Sequence, residues 1–553
     1  MKKLACIIVA ILMLAGLMAG CNNSGTEATN PPATTAPAST ATDAGGEETP
    51  VATQEISIMD LPKATISVLI ASGPEIPDTK IQGELEDFLN CTFNLVYVPT
   101  GGADRVTKIN LIMQDPSQHP DWIQYPGEMR KEAATWWDSG YLLDLVPYLE
   151  KWGDEICSYQ TFDTMYACYA GNGVMYSLPG DVSEPGSRSG ITRLDWIEKL
   201  GKTLPKTYDE LEYLIKAINE GDMKENGDPT TSIGYWAMAG STGPNWYSWA
   251  TVSAPFRAQF DDFVQQDGKV IHGSTQMYVK DALEKMAHIF QSGWTDPAAL
   301  QTVDTGAARN DGKIGFCHDY LWTTGGTSPG MLQILAKNPE AQWVCHPPVT
   351  GPDGFSSNNP EGQGAGMLNA ISSACKDPER AFKTLDKMAS GEGFRISNFG
   401  LEGEDWEYTD KEARKTKLLY DAADRDKVGI NCIQNYQRRK DEWLMENDNL
   451  AMANYTKSAE YAMNLRATRV WFYESNRPMY VQYWNDLKSH RDEVFVAILN
   501  GSQSLDTFET DWLEFWKANG GDKVDAEATE LYKKQADLKP EFTRLWEDRL
   551  SRK

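Results

Sequence analysis

Short apolar runs alternate with amphipathic stretches along most of the chain. Thr65–Ala71, Phe93–Val98 and Pro120–Tyr125 have the length and composition of strands. The first ends at Ser72-Gly73-Pro74, the second at Pro99 and Gly101-Gly102. Between them, Ile81–Leu89 reads as a helix, and Val106, Ile109, Ile112 and Met113 recur at helical spacing. Strands alternating with helices predict an α/β fold with a parallel sheet and crossover helices. Ligands in such sheets gather beyond the carboxyl ends of the strands. That places Gly73–Glu75 and Tyr125–Glu128 near a cleft.

A second organising stretch runs from Asn172 to Ile218. A glycine turn enters Val174–Leu178, which stops at Pro179. A polar Gly/Ser/Pro loop follows, then the apolar run that opens at Ile191. Thr207 and Glu210 have the spacing of a capping box, in which the hydroxyl meets one orphan amide and the carboxylate reaches back. Tyr208, Leu211, Leu214, Ile215 and Ile218 then share one helical face. Val279, Leu283, Met286 and Phe290 form another face, closed at Gly293, and Pro378–Met388 reads as a helix. No internal repeat interrupts this order.

At 553 residues the chain is long enough for two or more domains. Its formal net charge of −27 would repel phosphate backbones, so nucleic acid is excluded as a partner. Residues 1–20 carry Lys2 and Lys3 and then an apolar stretch too short for an ordinary spanning helix, the pattern of a signal peptide. Met18-Ala19-Gly20-Cys21 is similar to a bacterial lipobox with Met18 in the usual Leu position, so Cys21 is the expected lipidation site. Residues 21–60 are rich in Thr, Ala, Pro, Ser and Gly and predict a flexible tether. Beyond Cys21, seven scattered Cys without a CxxC pair suggest small buried side chains, not a disulfide or zinc framework.

Catalytic constellations are missing. There is no HExxH, GxSxG or GxxxxGK[ST], and the six His are scattered. Paired carboxylates for glycoside hydrolysis stay open, because sequence gives no separation between them. Trp236, Trp246, Tyr247 and Trp249 lie in a Gly/Ser/Pro-rich region, where aromatic faces suit the flat C–H faces of sugar rings; packing into the core is the competing reading. Asp222–Asp228 has the outline of a calcium loop. Lys224 stands where a ligand would, so an ordinary Asn-Gly turn is the expectation and no metal or cofactor is assigned.

Several segments, taken in order, resemble the extracellular solute-binding proteins of ABC importers, family 1, and most of all the aldouronate- and oligosaccharide-binding lipoproteins of Gram-positive bacteria. They are Trp136–Leu145, Asn172–Pro179, Ile191–Gly201 with Pro205–Leu211, Asp311–Phe316, Gly351–Gly354 and Phe399–Tyr408. The resemblance implies a two-lobe, type II periplasmic-binding-protein-like fold joined by crossing hinge strands. Lobe 1 is expected at 61–178 and 318–368. Lobe 2 is expected at 179–317 and 369–553, with a C-terminal helical extension. It implies no catalysis. A monomer on the extracellular face of the cell membrane, anchored at Cys21, would pass an oligosaccharide to a permease. Placed on this outline, the candidate ligand contacts are Glu75, Tyr125 and Glu128 in the first lobe. Asp181, Arg188, Asp319 and Trp322 lie around the crossings. Trp246, Trp249 and Trp406 lie in the second lobe. An extracellular lipoprotein glycoside hydrolase, or a peptide-binding protein or sensor of the same fold, are the alternatives.

Overall fold

A computed structural model describes residues 57–71, 75–99, 102–180, 188–224, 232–237, 239–240, 243–297, 311–324, 329–357, 366–412, 415–421, 424–433, 469–470, 472 and 477–551. All lie within one compact unit, Ile56–Lys553. Cys21, Asp181 and residues 21–56 of the expected tether fall outside the described residues; its last residues depart from that expectation, since Ile58–Asp60 form a 3-10 turn with Ile58 buried and its carbonyl accepting from Arg380.

The chain enters through β1 (Ala64–Ile70), crosses by the helix Lys80–Phe88 to β2 (Cys91–Tyr97), and returns by the helix Gly102–Met113 to β3 (Trp122–Pro126). The Thr79 hydroxyl accepts from the Gln82 amide at the start of the first crossover. β1 pairs in parallel with β2 from Ala64↔Cys91 to Ile70↔Tyr97, and with β3 at Val68↔Trp122. β4 (Leu178–Pro179) closes the first half. The chain then leaves for β5 (Arg188–Arg193), β6 (Ile233–Trp236), β7 (Ile314–Tyr320) and β8 (Trp343–Cys345), and comes back as β9 (Met367–Ile371).

Two sheets result. The first has the order β2-β1-β3-β9-β4, with β9 antiparallel to both β3 and β4. The second has the order β8-β5-β7-β6; β5 is antiparallel to β7 and β8, while β6 and β7 are parallel. Each sheet has its own apolar core. Val68, Leu69, Ile81, Ile109, Ile123 and Phe382 belong to the first. Leu211, Ile215, Tyr235, Leu283, Phe495 and Trp512 belong to the second. The fold is a two-lobe α/β architecture.

Lobe membership departs from the sequence-based expectation. Residues 318–345 belong to the second sheet, because β7 continues past Phe316 and pairs with β5 as far as Tyr320↔Arg188. The chain returns to the first lobe only at β9. Residues 369–553 are likewise shared. Phe382, Leu385, Met388 and Ile396 of the helices Pro378–Met388 and Gly391–Phe399 are buried in the first core, whereas Leu487, Val494 and Ile498 of the helix Pro478–Leu499 enter the second. The helix Gly521–Leu545 serves both, with Val524 and Ala528 in the second core and Phe542 and Leu545 in the first. Among the described residues, no helix is long and apolar enough to cross a membrane.

Candidate functional site

The carboxyl ends of β1, β2 and β3 carry a charged rim. Arg105, near the start of the helix Gly102–Met113, donates to the Ala71 carbonyl at 3.4 Å and to Glu128 Oε1 at 3.0 Å. The Glu128 side chain is 60% exposed and Arg105 is 15% exposed, so an anchored guanidinium presents an accessible carboxylate. Arg130, two residues on, donates to the Ala167 carbonyl at 2.7 Å. Glu75 is exposed. Tyr97 ends β2 with a buried hydroxyl that finds no partner among the described residues. Burial raises its pKa, and Cys432, Glu75 and Asp78 push it the same way. Arg105 and Tyr97 were not among the expected contacts. The signal for both was the Pro99/Gly101-Gly102 sequence between them, which marks the end of β2.

The second sheet presents a different edge. β5 begins at Arg188 and β7 ends at Tyr320, and their antiparallel register sets Asp319 opposite Ser189 and His318 opposite Gly190. Arg188 and Asp319 therefore stand one register step apart on neighbouring strands; Arg188 is half-buried and Asp319 is buried. Beneath them lies a small polar cavity lined by Ser189, Gly190, Thr251, His346, Pro348, Val349 and Ser357. His346 Nδ1 lies 2.9 Å from the Pro347 carbonyl, so it carries the proton and leaves Nε2 as an acceptor. Nε2 points at Gly190, where a Cβ would come within 2.2 Å of it. Only glycine leaves room for the ring. His318 Nδ1 lies 3.3 Å from Thr251 Oγ1. Neither His318 Nε2 nor His346 Nε2 has a partner among the described residues. Burial, then the Arg188 charge, pushes His318 down to about 3, and burial pushes His346 down to about 4. The floor is thus polar and uncharged.

Interleaved stretches of the chain build two separately cored lobes, linked where β4 leads to β5, where β8 leads back to β9, and through the helix Gly521–Leu545. No family model matches the chain. The polygalacturonan/rhamnogalacturonan-binding protein YtcQ of Bacillus subtilis (strain 168) is 21% identical over 550 residues, covering 95% of this chain and 98% of its own. The S. pneumoniae ABC-transporter substrate-binding protein FusA, solved as an EF-hand mutant in complex with fructo-nystose, superposes with a TM-score of 0.62 at 18% identity, covering 86% of this chain and all of that one. The alginate-binding protein AlgQ2, solved without calcium ion, gives a TM-score of 0.60 at 18% identity, covering 85% and 98%. The chain is similar in sequence to named solute-binding proteins such as YtcQ. It carries their two-lobe fold.

Within that fold, four of the expected aromatic contacts are core residues. Tyr125 is 1% exposed; its hydroxyl bonds Ser177 Oγ and its ring meets Trp136 edge-on. All five residues of β3 are buried, because the strand is central and covered on both faces, so alternation gave it no ligand-facing side. Trp246 and Trp249 sit on one 3-10 turn, Trp246–Trp249, that runs into the helix Ala250–Ser253 and turns both indoles inward. Trp246 Nε1 donates to Asp492 Oδ1 at 2.8 Å and its ring stacks on Phe260, while Trp249 stacks on Tyr235. Trp406 donates to the Gly400 carbonyl at 3.0 Å and packs with Phe394 and Phe399. As placed, these rings offer no face to a ligand. Trp322 lies on the turn Leu321–Thr324 directly after β7, and its side chain is outside the described residues. Glu75, Glu128, Arg188 and Asp319 stand at the two lobe edges.

Proposed function

We propose that this chain is the extracellular, lipid-anchored solute-binding component of an ABC importer, which captures an oligosaccharide between its lobes and delivers it to the membrane permease without chemical change. The observation that carries the reading is the pair of unlike edges on two separately cored lobes: Glu75 and Glu128 on one, Arg188 and Asp319 on the other. Carboxylates and a guanidinium at such edges chelate hydroxyl pairs, and closure of two lobes removes the ligand from water. Arg188 is assigned to ligand oxygens and Asp319 to ligand hydroxyls, with Asp181 and Trp322 adjoining them along the chain. The names of YtcQ, AlgQ2 and FusA all concern carbohydrate, which supports the ligand class. Anchoring at Cys21 and a monomeric state are part of the same reading.

The test is a thermal-stability screen of the purified protein against neutral and acidic oligosaccharides, with chromatography of the sugar afterwards. A ligand at 100 times its dissociation constant adds about 2.7 kcal/mol. A shift with intact sugar supports the reading. A shift with shortened sugar overturns the non-catalytic assignment, and a response to peptides alone overturns the carbohydrate assignment.

A further inference from the structure

The turn after the helix Tyr208–Glu220 begins the stretch Asp222-Met223-Lys224-Glu225-Asn226-Gly227-Asp228, of which 222–224 are described. In calcium loops of this outline, alternate positions supply side-chain oxygens, and the ion collects six to eight oxygens in all. Two of the similar structures are described by calcium or by an EF-hand. The residues of this chain do not fit such an ion. Position three of the outline is Lys224, which supplies a positive charge where an oxygen is needed.

The described part of the loop, 222–224, is held by the chain's own cations. Lys199, at the end of the helix Leu194–Lys199, donates through Nζ to the carbonyls of Asp222 and Met223 at 3.1 and 3.2 Å. Lys224 Nζ reaches the Asp311 carbonyl at 3.3 Å, just before β7. The Asp311 carboxylate is held in turn by Lys337 at 2.8 Å and Lys313 at 3.1 Å. An ammonium carries three donors and no acceptor, so carbonyls that receive it are bound at hydrogen-bond distance. A divalent ion among these lysines would meet repulsion from several like charges at close range.

We infer that lysine ammoniums replace calcium at this loop, with Lys199 and Lys224 latching the 222–224 turn to the neighbouring helix and to the entry of β7. The second lobe then needs no calcium. This holds whatever ligand the cleft takes.

The first measurement is the thermal midpoint of the purified protein in millimolar calcium chloride against excess EDTA. Equal midpoints are expected. A rise of several degrees with calcium, or saturable calcium binding by calorimetry, overturns the inference. The second measurement uses Lys199→Met, Lys224→Met and Lys199→Arg. Each Met variant should lower the midpoint by a few degrees, with no recovery on adding calcium, and Lys199→Arg should keep it because the donors remain. An unchanged midpoint in the Lys199→Met/Lys224→Met double variant overturns the latch.

Discussion

The two lobes carry different chemistry at their strand ends. The first presents accessible charge: Glu75 is exposed, and Glu128 is held out by a guanidinium that is itself tied to a strand-end carbonyl. The second presents Arg188 and Asp319 above a buried, uncharged floor of Ser189, Thr251, His318 and His346. Exposed charge costs little to place and contributes little to stability. A buried polar floor is costly unless satisfied, so its geometry is tightly determined by the strands that carry it. The first edge can be rewritten with small effects on folding; the second cannot.

The largest effect that would break this contrast lies in the second lobe's core. Trp246→Ala removes a fully buried indole and strands its bond to Asp492; it should cost about 4 kcal/mol in chemical denaturation. A loss below about 1 kcal/mol would mean that the indole is a ligand platform after all, and sugar affinity would then fall instead.

Next in size is pH. In the first lobe, burial raises Asp386 to about 7, against backbone bonds from Ile156 and Glu155. Its stabilising contribution is fully present below its ordinary value of 3.8 and is lost as pH rises toward 7. Acidifying from pH 7 to 5 should therefore stabilise the first lobe by about 2 kcal/mol. In the second lobe, His318 and His346 have depressed values, so their contribution is present above 6.5 and fades as pH falls toward 4. His272 is shifted in the same direction by burial and by Arg491 and Arg477, and Asp525, raised to about 7, partly offsets all three. Hydrogen exchange at pH 7 and 5, corrected for intrinsic rates, should show protection rising in peptides of the first lobe more than in those of the second. Asp386→Asn should abolish the first-lobe gain; if it does not, another group carries it.

Smaller changes test the edges. Arg188→Ala should weaken binding of the oligosaccharide found in the screen by about 10- to 100-fold, the weight of a charge-assisted hydrogen bond. Equal affinity would remove Arg188 from the site. Glu128→Gln should alter stability by less than about 1 kcal/mol, because the carboxylate is 60% exposed. A larger loss would show that the first edge is as rigid as the second.

Local rules were readable in advance. The Thr207–Glu210 capping box forms, and the helix it starts buries Tyr208, Leu211, Leu214, Ile215 and Ile218, the face its spacing predicted. The parallel order of β1, β2 and β3 follows from strands separated by helices. Contacts between residues distant in sequence were not readable. A tryptophan among Gly, Ser and Pro looks like a loop residue until Asp492, 246 positions away, supplies its partner. The extent of β7 depends on pairing with β5, whose partner residues lie more than a hundred positions earlier.

The chain's own pattern thus determined its α/β character, its alternation of strands and helices, its caps, and its acidic surface, since each depends on neighbours a few residues apart or on simple charge. Tertiary structure decided which lobe holds β7 and β8, which aromatics are core, how one C-terminal helix enters both cores, and which carbonyls the lysines occupy. Those outcomes depend on which surfaces exclude water together, and burial is a property of the assembled fold rather than of any segment alone.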